Sequence, residues 1–223
     1  MTVLDTTEGD LPLAELQLSL AGRRWSILHS DLVITGAEEQ AFLRGETAAK
    51  RPYGVVLWPA AIALAHELAS RALAGVRILE LGAGTGLPGL VAASLGARVV
   101  QTDRQRLVLH VCEQNAQRNG ITTIAHRAAD WTAWDDTAQY DLVIGSDILY
   151  AAQLHPHLRH IFATNLAPGG AVILSDPFRA TSLELLHAME ADGWRVALDK
   201  WTVAVAPPPR QVGVYTATRA ATG

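Results

Sequence analysis

Apolar positions recur along this chain in two rhythms. Between residues 14 and 34 they alternate: Leu16, Leu18 and Leu20, then Trp25, Ile27 and His29 after a Gly22-Arg23 turn signal, with a further short run at Leu32-Val33-Ile34. A period of two marks strands with one buried face, so two or three small antiparallel strands are expected, behind a polar, frayed stretch over residues 1–12. From residue 60 onward the rhythm changes. Largely apolar runs at 76–81, 97–103, 121–125, 140–147 and 171–176 are separated by helix-period segments at 60–73, 87–95, 104–118, 155–166 and 181–192. Runs that stay apolar on successive residues suit strands covered on both faces, and strand alternating with helix predicts an α/β fold built on a mostly parallel sheet. Two last strands, 194–206 and 212–218, are joined across Pro207-Pro208-Pro209, which has no amide to give a ladder and reads as a loop.

The punctuation agrees with this division. Pro59 suits a first helical turn, where its missing N–H is one of the orphan donors, and Gly75 closes the helix that follows. Asn119-Gly120 is a C-terminal cap signal, Pro168-Gly169-Gly170 breaks the chain before the fifth strand, and Gly193 ends the last helix.

Composition narrows the class. A chain of 223 residues, 49% apolar and 18% charged, is long enough for one good-sized core and short for two full domains. A net charge of −4, with no Lys/Arg run longer than a pair, supplies no positive field for a phosphate backbone, so no nucleic-acid partner is expected. Cys112 is the sole cysteine, which excludes a disulfide within the chain and, inside a helical pattern, reads as a structural thiol. The N-terminus carries no basic segment followed by an apolar one, and nowhere do eighteen apolar residues run together. A cytoplasmic chain with no membrane partner is expected, acting as a monomer or weak oligomer.

Candidate chemistry concentrates at residues 76–103. An apolar strand ends in Glu80-Leu81-Gly82-Ala83-Gly84-Thr85-Gly86, a helix follows, and Asp103 closes the next apolar run. Glycines there let backbone approach a ligand, and the acid stands at the carboxyl end of the neighbouring strand, suited to the two hydroxyls of a ribose. The string Gly84-Thr85-Gly86-Leu87-Pro88-Gly89 has the dinucleotide form, but its register from the strand end is wrong, and Glu80 would repel a pyrophosphate while favouring a cationic sulfonium or ammonium. The Lys-Ser/Thr phosphate loop is absent. The expected ligand is a nucleoside without phosphates, with positive charge nearby.

Further acids fall at strand ends. Asp130 follows the third strand, where it suits the exocyclic amine of adenine, and Trp131 beside it can stack on or seal the pocket. Asp147 ends the fourth strand with Tyr150 three residues on. Two compatible roles stay open for Trp58, a core anchor or a wall of the ligand pocket. His155, His157 and His160 lack any metal-site spacing and read as incidental residues of a surface helix, so no metal is expected.

The glycine segment with Asp103 resembles the cofactor site of the class I S-adenosylmethionine-dependent methyltransferases. That resemblance covers roughly residues 50–219 and implies a Rossmann-like sheet of seven strands in the order 3-2-1-4-5-7-6, the seventh reversed, with helices on both faces. The expected division is an N-terminal β extension over 1–50 packed on a single cofactor-binding unit over 51–223. The resemblance implies S-adenosylmethionine as cofactor, held by Trp58, Glu80, Gly82, Gly84, Gly86, Asp103, Asp130 and Trp131. Asp147-Ile148-Leu149-Tyr150 resembles the D-x-x-Y motif of the protein-lysine methyltransferase branch called methyltransferase family 16, and residues 53–59 (YGVVLWP) are similar to the aromatic-rich segment of the same branch.

Methyl transfer to an amine needs an uncharged nucleophile in line with the methyl and a place for the new positive charge. Asp147 is suited to hydrogen-bond the amine and stabilise that charge, and Tyr150 to orient it. The branch usually carries an acid soon after the tyrosine, where this chain has Ala151 and Ala152. The N/D-P-P-Y form of many nucleobase and glutamine methylators is absent. The resemblance to that branch implies a protein lysine as the leading acceptor, with a small-molecule amine, or an inactive cofactor-binding interaction protein, as alternatives.

Overall fold

The computed structural model describes residues 2–4, 11–30, 53–204 and 208–219. Strands β1 (Thr2–Leu4), β2 (Leu11–Leu20) and β3 (Arg23–Ser30) form a small antiparallel sheet in the order β1-β2-β3. Ala21 and Gly22, both at positive φ, turn the chain between β2 and β3, and Trp25 and Ile27 bury the alternating face. Thr2–Leu4 pairs with Leu11–Leu13, so part of the stretch expected to fray is strand. The Leu32-Val33-Ile34 run, the boundary at residue 50 and Pro207 lie outside the described residues.

The seven-stranded sheet follows. It comprises β4 (Arg77–Leu81), β5 (Arg98–Asp103), β6 (Ile124–Ala128), β7 (Tyr140–Ser146), β8 (Leu166–Asp176), β9 (Trp194–Val203) and β10 (Arg210–Arg219), in the order β6-β5-β4-β7-β8-β10-β9. Numbered from β4 this is 3-2-1-4-5-7-6. β10 runs antiparallel to β8 and to β9, and the other neighbours pair in parallel. Five α-helices are described: α1 (Pro59–Ala69), α2 (Leu87–Ser94), α3 (Arg106–Arg118), α4 (His155–Asn165) and α5 (Ala180–Ala191).

Alternation along β4 explains the two layers. Ile78 packs with Leu64 and Leu68 of α1 and Leu90 and Val91 of α2, whereas Leu79 and Leu81 pack with Ile161 and Phe162 of α4 and Leu185 and Met189 of α5. All of these side chains are almost wholly removed from water. With both faces covered, the central strands stay apolar at successive positions, which is the pattern in the sequence.

Three boundaries differ from expectation, each for a local reason. Helix α1 stops at Ala69 rather than continuing to residue 73, because Ser70 Oγ turns back onto Glu67 O at 2.7 Å. The third parallel strand starts at Ile124, since residues 119–121 cap α3: Gly120 is left-handed and Ile121 N donates to Ala116 O at 2.9 Å. Pro168-Gly169-Gly170 does not precede β8 but lies within it, as a bulge across which the register moves from Tyr140↔Leu166 to Leu142↔Ala171. No helix among the described residues is long and apolar enough to cross a membrane.

Candidate active site

The parallel strands end on one edge of the sheet, and the loops leaving β4, β5, β6, β7 and β8 enclose a cavity of about 420 Å³ there. That volume is in the range of small-molecule and cofactor pockets. Gly82, Gly84, Asp103, Asp130, Trp131, Asp147, Tyr150 and Trp58 all line it. The remaining two expected cofactor residues, Glu80 and Gly86, do not.

Backbone forms the floor. Gly82 and Gly84 are left-handed (φ 63° and 59°), and a Cβ on Gly82 would lie 2.9 Å from Ile148 Cγ2 and 3.3 Å from the Trp131 ring. Side chains are thus excluded where the loop meets the cavity. Gly86, also left-handed, faces the other way, towards Gln101 and Cys112. Cys112 is buried beneath the loop, where its thiol donates to Gly84 O at 3.1 Å and burial holds its pKa well above the usual range.

Asp103 stands where the sequence placed it. Its Oδ1 accepts the Gln105 N–H at 2.9 Å. Burial raises its pKa, and the amides of Gln105 and Gly84 pull the other way. A partly buried carboxylate beside a glycine floor fits the paired hydroxyls of a ribose.

Glu80 is corrected by the structure. Its carboxyl points away from the cavity into the layer under α2, where Oε2 accepts from Gln101 Nε2 at 2.7 Å, while Oε1 has no hydrogen-bond partner. Burial pushes its pKa up to about 8, which favours the neutral form well above the usual carboxylate range. The network continues from Gln101 to Gly86 O at 2.8 Å and to His126 Nε2 at 3.0 Å. Its work is to hold the glycine loop from behind.

The rim is polar and aromatic. Asp130 is exposed and caps the short 3-10 turn Trp131–Ala133, with Oδ1 accepting from Thr132 N at 2.8 Å and Thr132 Oγ1 at 2.7 Å; these bonds lower its pKa. Trp58, just ahead of α1, donates its indole N–H to Tyr53 O at 3.3 Å. Tyr53 and Gly54 thereby arch over the glycine loop, with Gly54 close against Val108 of α3. Trp58 is half-buried and lines the cavity, so the pocket-wall role is the one its position supports.

Asp147, also in the cavity wall, leaves β7 in a left-handed conformation (φ 56°), its N–H donated to Ser175 O at 2.8 Å. Aspartate tolerates that conformation better than most residues. Burial raises the Tyr150 hydroxyl's pKa. Arg179, three residues beyond β8, forms an ion pair with Asp147 and reaches Asp176 Oδ2 at 3.2 Å. Reading the sequence did not single out Arg179. The available signal was Asp176 at the end of a fifth apolar run, the same position that marks Asp103 and Asp147, with a cation three residues later.

The profile of a family described as lysine methyltransferase matches residues 38–184. The chain belongs to this family, and with it to the class I S-adenosylmethionine-dependent methyltransferases. Among its relatives, the protein N-lysine methyltransferase METTL21A of Xenopus tropicalis is 34% identical over 131 residues, covering 56% of this chain and 60% of that protein. The histone-arginine methyltransferase METTL23 of Homo sapiens is 37% identical over 102 residues, covering 42% and 54%. The chain spans about half the length of the curated relatives it matches. Among solved structures, the N-methyltransferase NodS of Bradyrhizobium japonicum WM9, in complex with S-adenosyl-L-homocysteine, superposes with a TM-score of 0.58 at 18% identity, covering 78% of this chain and 96% of that one. That likeness is one of fold.

Proposed function

We propose that this chain transfers a methyl group from S-adenosylmethionine to the side-chain amine of a lysine in a protein. The observation that carries the reading is one cavity lined by the side-chain-free floor at Gly82 and Gly84, the carboxylate of Asp103, and Asp147 with Tyr150. The described residues fit the cofactor: Asp103 for the ribose hydroxyls, Asp130, Trp131 and Trp58 around the base and the rim, and the glycine backbone under the amino-acid portion.

When bound, the cofactor supplies an electrophilic methyl on a sulfonium, which an amine lone pair attacks as the carbon–sulfur pair returns to sulfur. Asp147 accepts a hydrogen bond from the amine and stabilises the positive charge that grows on it. Tyr150, kept protonated by burial, offers its hydroxyl to orient the nitrogen. Trp131 and Ile148, packed against Gly82, and Trp58 add apolar wall that limits water in the cavity.

Incubation of the purified protein with methyl-labelled cofactor and a cell extract, followed by mass spectrometry, tests the reading. Label on a lysine of a protein supports it. Label on an arginine, as the name of the METTL23 relative suggests, or on a small amine, or no transfer at all, displaces it.

A further inference from the structure

The acceptor end of the cavity holds a cation of its own. Arg179 lies on the turn between β8 and α5 and forks onto the Asp147 carboxylate, Nη1 to Oδ1 and Nη2 to Oδ2, the latter at 3.4 Å. Asp176 grips it from behind through Nη1 at 3.2 Å and through the Arg179 backbone N–H at 2.7 Å. The Asp176 side chain is fully buried, and those of Asp147 and Arg179 are 7% and 13% exposed. Phe178 is left-handed (φ 65°) with its ring edge-on to Tyr215 at 6.4 Å, which fixes the turn that aims Arg179 inward. A left-handed phenylalanine is a strained conformation that the packing around it must hold.

This guanidinium bears on a difficulty in the proposed chemistry. A lysine reaches the site as an ammonium, and only the neutral amine has a lone pair to give. A carboxylate with no other cation on it would hold the ammonium form firmly and oppose the loss of its proton. We infer that Arg179 sets the charge state of the acceptor: by sharing Asp147 with the incoming amine, it weakens the hold on the ammonium and favours the neutral, reactive form. The inference rests on the lysine-directed reading above and deepens it. The ammonium gives its proton to water, the nitrogen lone pair forms the new N–C bond, the S–C pair returns to sulfur, and Asp147 faces the cationic product.

Other described charged and titratable groups surround the same cavity. Asp176 and Arg179 come from the β8 exit and Tyr150 from the β7 exit, with Tyr215 of β10 beside Asp176, where burial and that carboxylate push its pKa up to about 12. Asp103 and Arg104 after β5 line the same cavity and act in opposite senses on the Tyr150 hydroxyl, Asp130 is exposed at its edge, and Tyr53 is part of its wall. With Arg179 replaced by a neutral residue, Asp147 meets the acceptor without that guanidinium beside it, and Asp176 stays buried behind the cavity wall.

The test uses n-butylammonium, a lysine side chain without its backbone, titrated calorimetrically into protein saturated with S-adenosylhomocysteine between pH 7 and 10. At pH 7, Arg179→Gln binds the probe about tenfold tighter than wild type or more, because one opposing charge beside the same carboxylate is gone. The difference fades as the probe loses its proton towards about pH 10.4. Arg179→Lys keeps the charge and tracks wild type, and the neutral isostere 1-butanol binds all three proteins alike. A role in folding alone would not separate Gln from Lys in this pH-dependent way. Equal or weaker binding of n-butylammonium by Arg179→Gln, or no measurable binding to any of the three, overturns the inference. Should Arg179→Gln not fold, wild type decides: its affinity for total amine rises from pH 7 to 10 if the neutral form is preferred, and a flat or falling profile overturns the idea. Binding of S-adenosylhomocysteine is measured first. Its failure removes the proposed function itself, while its success with an unchanged probe affinity removes only the role of Arg179.

Discussion

Asn115 and Leu28 are joined as two strands of a sheet would be. The Asn115 amide nitrogen donates to Leu28 O at 3.0 Å and its oxygen accepts the Leu28 N–H at 2.7 Å. Asn119, one helical turn further along α3, repeats the exchange with Ser26 at 2.8 and 3.0 Å. The spacing works because four helical residues advance about 6 Å and two strand residues about 6.7 Å. A second donation from Asn115, to Thr85 O at 2.9 Å, carries the connection into the glycine loop. The N-terminal sheet is thus bonded, through one side chain, to the floor of the cofactor cavity.

Removing that side chain should be costly in two ways. Asn115→Leu leaves the Leu28 amide and carbonyl and the Thr85 carbonyl unsatisfied in a buried setting, a loss of about 3 kcal/mol or more. Urea unfolding should show a lower midpoint, and calorimetry a weaker affinity for S-adenosylhomocysteine. An unchanged affinity would mean that Thr85 keeps its place without Asn115.

Asp103→Ala should weaken cofactor binding by about 1–3 kcal/mol, through loss of a charge-assisted acceptor from two ribose hydroxyls. Calorimetric titration with S-adenosylhomocysteine measures it directly. Equal affinities for the two proteins would dismiss Asp103 from the site.

Asp147→Asn separates binding from chemistry. Asparagine tolerates the left-handed backbone at this position, so the fold should survive. The rate of transfer should fall about a hundredfold or more, as expected for a group that stabilises developing charge. Affinity for S-adenosylhomocysteine should stay within about twofold, since the residue acts mainly on the transition state. A variant with normal turnover would reassign the catalytic end of the cavity.

Glu80 should impose a pH dependence on stability. Its folded pKa is about 8, against an ordinary value of 4.5, because burial disfavours the charged form. Between those values the native chain keeps a proton that the unfolded chain releases, so this contribution is complete below about pH 4.5, declines as pH rises to about 8 and is level above. Glu80→Gln retains an acceptor for Gln101 and has no proton to lose. The urea midpoint of wild type should fall between pH 5 and 8 relative to that of the variant, by a free-energy difference on the order of several kcal/mol. Parallel midpoints across the range would show that Glu80 is ionised in the folded protein.

How much of this was legible beforehand depends on whether the physics was local. The buried strands announce themselves through largely apolar runs, and Gly82, Asp103 and Asp147 through their positions at the ends of those runs. The order of the strands came from the resemblance of the glycine segment to a known class, since apolar runs alone carry no pairing information. A strand end does not reveal which side its residue faces, so only the structure shows Glu80 turned onto Gln101 behind the glycine loop. Arg179 escaped notice because its partner Asp147 is 32 residues away in sequence and meets it only once β7 and β8 are paired. Asn115 and Asn119 read as ordinary polar helix positions, and only the packed β3 backbone reveals them as strand-like donors and acceptors.

The cavity wall draws on segments from Tyr53 to Arg179, most of them separate loops that share a rim but no covalent shortcut. A small molecule seated there would touch nearly every loop on that edge at once. Its arrival should therefore tighten the enzyme as a whole, slowing backbone hydrogen exchange in the exits of β4 to β8 together and raising the melting temperature in proportion to the logarithm of its concentration.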